Sequence, residues 1–432
     1  MQEFFNLNYW KSFFNSSAKK KLFENFLSLS FLQGVNYLLP LITLPYLVRV
    51  LGPEKFGLIA FAQAFIGYFV ILTDYGFNLS ATREISINRE NKEKIKEIFS
   101  SVMAIKFFLC VLSFFILGLF LIFIPKFGNE WLICLFTFGM VLGNVLFPVW
   151  FFQGMERMKY ITILNIVAKV IFTICIFLFI RKVTDYLYVP LINSMGFLVA
   201  GGLSLVIISK DFRIKFRIPT NSAIQHQLKE GWHIFISTAA ISLYTVSNTF
   251  ILGLFTNNTI VGYYSAAERL IGGAQGLLTP IFQTVYPYIS KLVSESKQRA
   301  LNVIRKLTIL VGSGSFIISL LIFILATPIV NIVLGNQYQQ SITVLQILAF
   351  LPFIIGLSNI FAVQGLYAFK FQRTVSRFVI PIALFHLFLL SILTYFYSLI
   401  GTATATILTE ILITIFSIKY FSKFILKRKE IL

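Results

Sequence analysis

Between residues 25 and 418 the sequence runs through one apolar window of about 20 residues after another, separated by short polar joints. A helix rises about 1.5 Å per residue, so each window matches the thickness of a bilayer's hydrocarbon core. In that core a segment must satisfy its own backbone hydrogen bonds, and for windows of this length the helix is the structure that does so. Twelve windows follow in order: 25–48, 57–80, 101–124, 131–152, 160–180, 187–208, 232–254, 262–290, 307–326, 342–365, 378–397 and 400–418. The eighth is long and carries Pro280 and Pro287, so it should kink or end early. The expected class is an all-α integral membrane protein with twelve transmembrane helices.

Composition agrees. The chain is 57% hydrophobic and 12% charged, against about 45–50% and about 25% for a soluble domain. The net charge of +20 would suit a nucleic-acid partner, but in a membrane protein the position of the positives matters first. With a cytoplasmic N-terminus, 29 of the 37 basic residues fall in cytoplasmic segments. Five fall outside (Arg49, Lys55, Lys126, Arg181, Lys182) and three within spans (Lys106, Lys169, Arg269). Both termini are therefore expected in the cytoplasm, and the charge reads as a topology signal with no nucleic acid implied. Cys110, Cys134 and Cys175 lie in apolar runs and predict no disulfide, and His226, His233 and His386 have no metal-ligand spacing.

Residues 1–24 contain no uninterrupted apolar core, so no cleaved signal peptide is expected. Phe4, Phe5, Trp10, Phe13 and Phe14 ahead of Lys19, Lys20 and Lys21 suit either an interfacial helix or an ordinary cytosolic tail. The expected divisions are a cytoplasmic segment 1–24, a six-helix lobe 25–208, a basic linker 209–231, a second lobe 232–418 and a basic tail 419–432. No outer loop leaves room for a soluble catalytic domain, and nothing resembles a nucleotide-binding loop.

Six plus six spans invites a search for a repeat. With a shift of 205 residues, "GLIAFAQAFIG" (57–67) overlies "GYYSAAERLIG" (262–272), matching Gly57 with Gly262, Ala62 with Ala267, Ile66 with Ile271 and Gly67 with Gly272. With a shift of 211, "FQGMERMK" (152–159) overlies "VQGLYAFK" (363–370). Because six is even, the two halves would run in the same direction, which permits a pseudo-two-fold axis along the membrane normal.

Four stretches carry a family likeness: "NYLLPLITLPYLVRVLGPEKFGLIAFAQAF" (36–65), "DYGFNLSATREIS" (74–86), "FFQGMERMKYITILNI" (151–166) and "GYYSAAERLIGGAQGLLTPIFQTVYPYISKL" (262–292). They strongly resemble the Wzx-type polysaccharide flippases, bacterial inner-membrane proteins of the superfamily that also holds multidrug exporters and the lipid II flippase. The resemblance covers essentially the whole chain. It implies two six-helix lobes related by pseudo-two-fold symmetry around a V-shaped central cavity. It also implies a task without cofactors: moving an undecaprenyl-pyrophosphate-linked oligosaccharide from the cytoplasmic to the outer leaflet for O-antigen or capsule-type assembly. Membrane lipids and the polysaccharide polymerase or other assembly proteins are the implied partners.

Charges within spans are costly, about 2.5–3.5 kcal/mol on insertion scales, so they normally face a bundle interior or an aqueous cavity. Lys169 lies mid-span and suits either contact with a pyrophosphate or acidic sugar, or a buried ion pair. Glu410, in "TATATILTEILI", could carry a coupling ion or serve as an interhelical hydrogen-bonding group. Glu268 and Arg269 are adjacent and point about 100° apart on a helix, so one can face a cavity while the other pairs across to the first half. Arg49 closes the first span, either as a cavity or gate cation or as a snorkelling arginine. Asp74 falls near the inner edge of the second span, either in a gate pair with Arg83 or another base, or as an anchor of the helix end. Lys106 is expected to snorkel to the headgroups, and 83–100 to form a solvated surface helix.

Arg49, Lys169 and Arg269 are thus candidate substrate contacts. Asp74, Arg83, Glu268 and Glu410 are candidates for gating or for coupling to H+ or Na+, with no catalytic or metal-ligating set. Two other readings stand beside the flippase. A drug exporter of the same superfamily should favour acids over bases in its cavity. A membrane-bound polysaccharide polymerase should carry catalytic groups in an outer loop, and "TPIVNIVLGNQYQQS" (327–341) has no charge, histidine or cysteine.

Overall fold

A computed structural model describes residues 17–426, and every regular element in that range is helical. The expectation for 1–16 as an interfacial helix or tail, and the end of the basic tail, lie outside the described residues. The chain forms α1 (Ser17–Asp74), α2 (Phe77–Ile87), α3 (Lys92–Phe123), α4 (Trp131–Leu146), α5 (Met158–Phe179) and α6 (Tyr188–Lys210). An extended linker then leads to α7 (Asn221–Phe255), α8 (Asn258–Gly276), α9 (Thr279–Glu295), α10 (Lys297–Ile324), α11 (Gln340–Leu348), α12 (Leu351–Asn359) and α13 (Gln372–Phe421).

Among the described residues eight helical segments are long and apolar enough to cross a membrane, and nine if α7, bent by 44° near Ala240–Ser242, counts as one span. Two of the long helices are broken within. In α1 the break is at Gly52 (φ 70, ψ 172), just before Pro53. In α13 it is at Ser398 (φ 52, ψ −130), where Thr394 and Thr402 hydroxyls meet at 2.9 Å as the chain turns back on itself.

The eighth window, 262–290, does end early: it is two helices, α8 and α9, with Pro280 in the first turn of the second. Another expectation changes on inspection. The segment 83–100 is no separate surface helix. Tyr75 (φ 43) and Gly76 (φ 74) break the chain after Asp74, α2 buries Phe77, Ala81 and Ile85, and Lys92 already begins α3.

Apolar packing divides the molecule by level. One large cluster joins residues of both chain halves around the Gly52 break, from Leu44 and Phe65 to Tyr264, Tyr338 and Ala403. Toward the level of the linker two clusters stand apart. One holds Phe77, Phe99, Trp150 and Ile214, the other Phe282, Ile304, Phe378 and Phe421. The halves therefore meet most extensively at the Gly52 end.

The closest approach there is reciprocal. A Cβ on Gly57 would lie 1.8 Å from the carbonyl oxygen of Asn258, and one on Gly262 would lie 2.0 Å from that of Pro53. Gly57 and Gly262, and likewise Pro53 and Asn258, are paired by the 205-residue register read from the sequence.

Candidate functional site: a cationic cavity

Three polar residues of α5 stand one turn apart, Asn165, Lys169 and Thr173, and form a stripe on one face of the helix. That stripe borders a cavity of about 390 Å³ enclosed by α1, α4, α5, α6 and one side chain of α8, Arg269. Gln63 and Asn193 add amides from α1 and α6, and most of the remaining wall is apolar. Among the described residues no carboxylate lines it.

Lys169 makes no ion pair and no hydrogen bond among the described residues, so the alternative of a buried pair with a neighbouring acid does not describe it. An ammonium at the wall of a cavity, without a partner, is open to an incoming anion. Arg269 reaches across from the second half: its Nη2 donates to Gln63 Oε1 at 2.8 Å, and the guanidinium lies 4.9 Å over the Phe56 ring. The two cations thus enter one space from opposite halves of the chain.

Arg49 is elsewhere. The cavity face of α1 is set by Thr43, Leu47 and Leu51 at four-residue spacing, and Arg49, two residues beyond Leu47, points to the opposite side at about 100° per residue. It is exposed, donates from Nη2 to the carbonyl of Ile332, and its own carbonyl accepts from Gln337 Nε2 at 3.4 Å. The expectation that Arg49 lines the cavity is corrected: it bridges the chain halves at the Gly52 end.

Asp74 does not meet Arg83. Its Oδ1 lies 3.2 Å from Lys106 Nζ, and its Oδ2 accepts from Asn78 Nδ2 at 2.5 Å. The left-handed residues Tyr75 and Gly76 redirect the chain, leaving Arg83 exposed with no ion pair or hydrogen bond among the described residues. Lys106 is only 1% exposed and is held by this pair, so it does not snorkel.

The two membrane glutamates occupy the second half. Glu268 accepts from Thr249 Oγ1 at 3.2 Å and from the Tyr264 hydroxyl at 3.4 Å. Glu410 is 9% exposed and accepts from the Tyr244 hydroxyl at 3.4 Å. Between them sits His386, fully buried, with Thr409 Oγ1 2.7 Å from Nδ1 and Asn248 Oδ1 3.0 Å from Nε2. The cavity cations and the buried acids are therefore segregated, and Arg269 is the residue that links the two regions.

Sequence reading missed Gln63, Asn165 and Asn193 because single amides in apolar spans carry little signal. Asn165 was recoverable from its four-residue spacing to Lys169. His386 gained its partners from α7 and α13, which no spacing rule connects.

The chain fits the family model described as polysaccharide biosynthesis protein over residues 22–293. It is 35% identical over 401 residues to a protein of Escherichia coli (strain K12) provisionally named an O-antigen transporter, covering 92% of this chain and 96% of that one. Its fold resembles that of the lipid II flippase MurJ in an inward closed conformation, with a TM-score of 0.70, 17% identity and coverage of 94% and 90% of the two chains. An inward-facing multidrug resistance MATE family transporter of the MOP superfamily superposes with a TM-score of 0.66 at 13% identity, covering 91% and 96%. The chain therefore has the all-helical fold of these membrane transporters.

Proposed function

This chain belongs to the polysaccharide biosynthesis protein family, and on that footing we propose that it is a flippase. It moves an undecaprenyl-pyrophosphate-linked oligosaccharide repeat unit from the cytoplasmic to the outer leaflet of the bacterial inner membrane, for O-antigen or capsular polysaccharide assembly. It is a transporter rather than an enzyme. The observation that carries this reading is Lys169, unpaired among the described residues, sharing with Arg269 a cavity that no described carboxylate lines. Such a space suits an anionic headgroup and disfavours the organic cations that an acid-lined exporter would take. The polyprenyl tail can stay in lipid while the pyrophosphate and sugars use the polar route.

The breaks at Gly52 and Ser398 support dividing α1 and α13 into two spans each, in a twelve-span chain of two lobes, 25–208 and 232–418. Reciprocal packing of Gly57 and Gly262 supports a pseudo-two-fold axis between the lobes. The distribution of lysine and arginine supports a topology with both termini and the linker in the cytoplasm and the Gly52 end at the outer face. Apolar clusters that join at the Gly52 end and separate toward the linker favour a state closed to the outside. Exchange between this state and its converse is alternating access, driven by an ion gradient through Glu268, Glu410 or Asp74.

Purified protein in proteoliposomes tests the reading. A diphosphate-linked oligosaccharide lipid placed in one leaflet should become accessible to an impermeant sugar oxidant on the other side, faster with wild type than with Lys169→Ala. Equal rates with wild type and protein-free vesicles would refute it.

A further inference from the structure

Among the described residues three basic side chains cross between the chain halves at the Gly52 end, and none of them forms an ion pair with a carboxylate there. Arg49 takes the carbonyl of Ile332, and Arg269 takes the amide oxygen of Gln63. Lys126 takes the carbonyl oxygens of Gly253 and Leu254 and, at 3.0 Å, that of Thr256. These three oxygens sit at the C-terminal end of α7, whose capping residue is Thr256 and whose last turn carries no basic residue of its own. The negative end of that helix dipole, on a long helix of the second half, is neutralised from the first half.

Lys126 is presented from a fixed support. It lies on the short turn Pro125–Gly128 between α3 and α4, where Phe127 is 2% exposed. Phe127 stacks on Phe61 and Phe65 at 5.6 and 4.4 Å, and Phe65 in turn stacks on Phe250 of α7 at 5.7 Å. The ammonium itself lies 5.5 Å over the Phe61 ring. Moving α7 away from this support strips three carbonyls of their donor and frees a cation at once.

We propose that Lys126 is a positioning residue for translocation, which holds the outer mouth shut by capping the C-terminus of α7 from the opposite half. A salt bridge would leave two opposite charges to be solvated when it opens. A cation on carbonyls leaves a single charge and a helix end that water can satisfy, so the latch releases easily. The contact then sets how often the outer mouth opens. This inference rests on the alternating-access part of the reading above, and its test needs no substrate, so its failure is separate from a failure of the flippase assignment.

The test places single cysteines in a chain whose three native cysteines have been replaced. Ala266→Cys, one turn from Gly262 and fully buried, reports on the outer mouth. Ile234→Cys, which packs against Gly76, reports on the linker end. Each is labelled with a membrane-impermeant maleimide, the first in intact cells and the second in inverted vesicles. Lys126→Met should raise the labelling rate at Ala266→Cys about tenfold, the scale of a cation at a partly buried helix C-terminus, and lower it at Ile234→Cys. Lys126→Arg should label like wild type, and Lys126→Gln should fall between. Unchanged rates at both reporters in Lys126→Met and Lys126→Gln would overturn the proposal, as would a rise at both, which signals general loosening. Equal effects of Lys126→Arg and Lys126→Met would also overturn it.

Discussion

Gly57 and Gly262 each place bare backbone against the other's helix, with a carbonyl oxygen of the opposite segment at the position a side chain would need. The exchange is symmetrical: Gly57 faces Asn258 and Gly262 faces Pro53, and the 205-residue repeat maps one contact onto the other. Backbones approach this closely only where neither residue has a Cβ. Gly57→Ala and Gly262→Ala should therefore destabilise alike, each by about 1–3 kcal/mol as overpacking does. Gly272→Ala, with nothing within 4 Å of the added atom, should be neutral at this contact. Thermal melting in detergent checks it, and unequal losses at the two glycines would break the symmetry.

Asp74 and Lys106 form a second relationship, with the lysine 1% and the aspartate 31% exposed in their side chains. Removing one partner of a fully buried pair costs about 3–5 kcal/mol, and the partial exposure of Asp74 puts this case at or below the lower end. Asp74→Asn should lower the melting temperature because it leaves a buried ammonium without its acid. Adding Lys106→Met to Asp74→Asn should restore part of the loss. A double variant no more stable than Asp74→Asn would show that the pair is not the source.

Glu268 and Glu410 lie apart from the cavity cations, so the proposed coupling and the proposed binding can be tested separately. Glu268→Gln and Glu410→Gln should keep exchange of substrate between leaflets and lose its acceleration by an imposed proton or sodium gradient. Lys169→Ala should slow both. Transport in proteoliposomes with and without a gradient distinguishes them, and full gradient dependence in both glutamine variants would move the coupling site elsewhere.

Asp185, on the face assigned to the outside, has its carboxylate held below the ordinary value by the backbone N–H groups of Arg181 and Lys182 at 3.0 and 3.1 Å. A depressed value means that this support is complete above the ordinary carboxylate range and is lost as pH falls through the lower one. Asp185→Asn should thus show faster amide exchange than wild type around 183–187 at pH 7. The gap should close only below the usual carboxylate range, and a gap insensitive to acid would contradict the assignment.

Hydropathy made most of the helices legible, because lipid leaves no other way to satisfy backbone groups over 20 residues. It gave depth along a helix but not direction around it. Arg49 shows the consequence: its position at the end of a span leaves a cavity or gate role and snorkelling both open, and only its azimuth, opposite to Leu47 and Leu51, takes it out of the cavity. Lys106 was read as snorkelling because a break at Tyr75–Gly76, which brings Asp74 to it, follows from two backbone conformations rather than from any periodicity. The glycine register was readable because close approach restricts residue type as strongly as lipid restricts polarity. The buried set of Asn248, His386 and Thr409 was not, since its members come from distant segments.

Flipping is tested by the leaflet in which the lipid-linked glycan accumulates when the gene is deleted. Accumulation is expected on the cytoplasmic side, relieved by wild type and not by Lys169→Ala expressed to the same level. Unpolymerised units accumulating on the outer side would contradict it, because the missing step would then follow translocation.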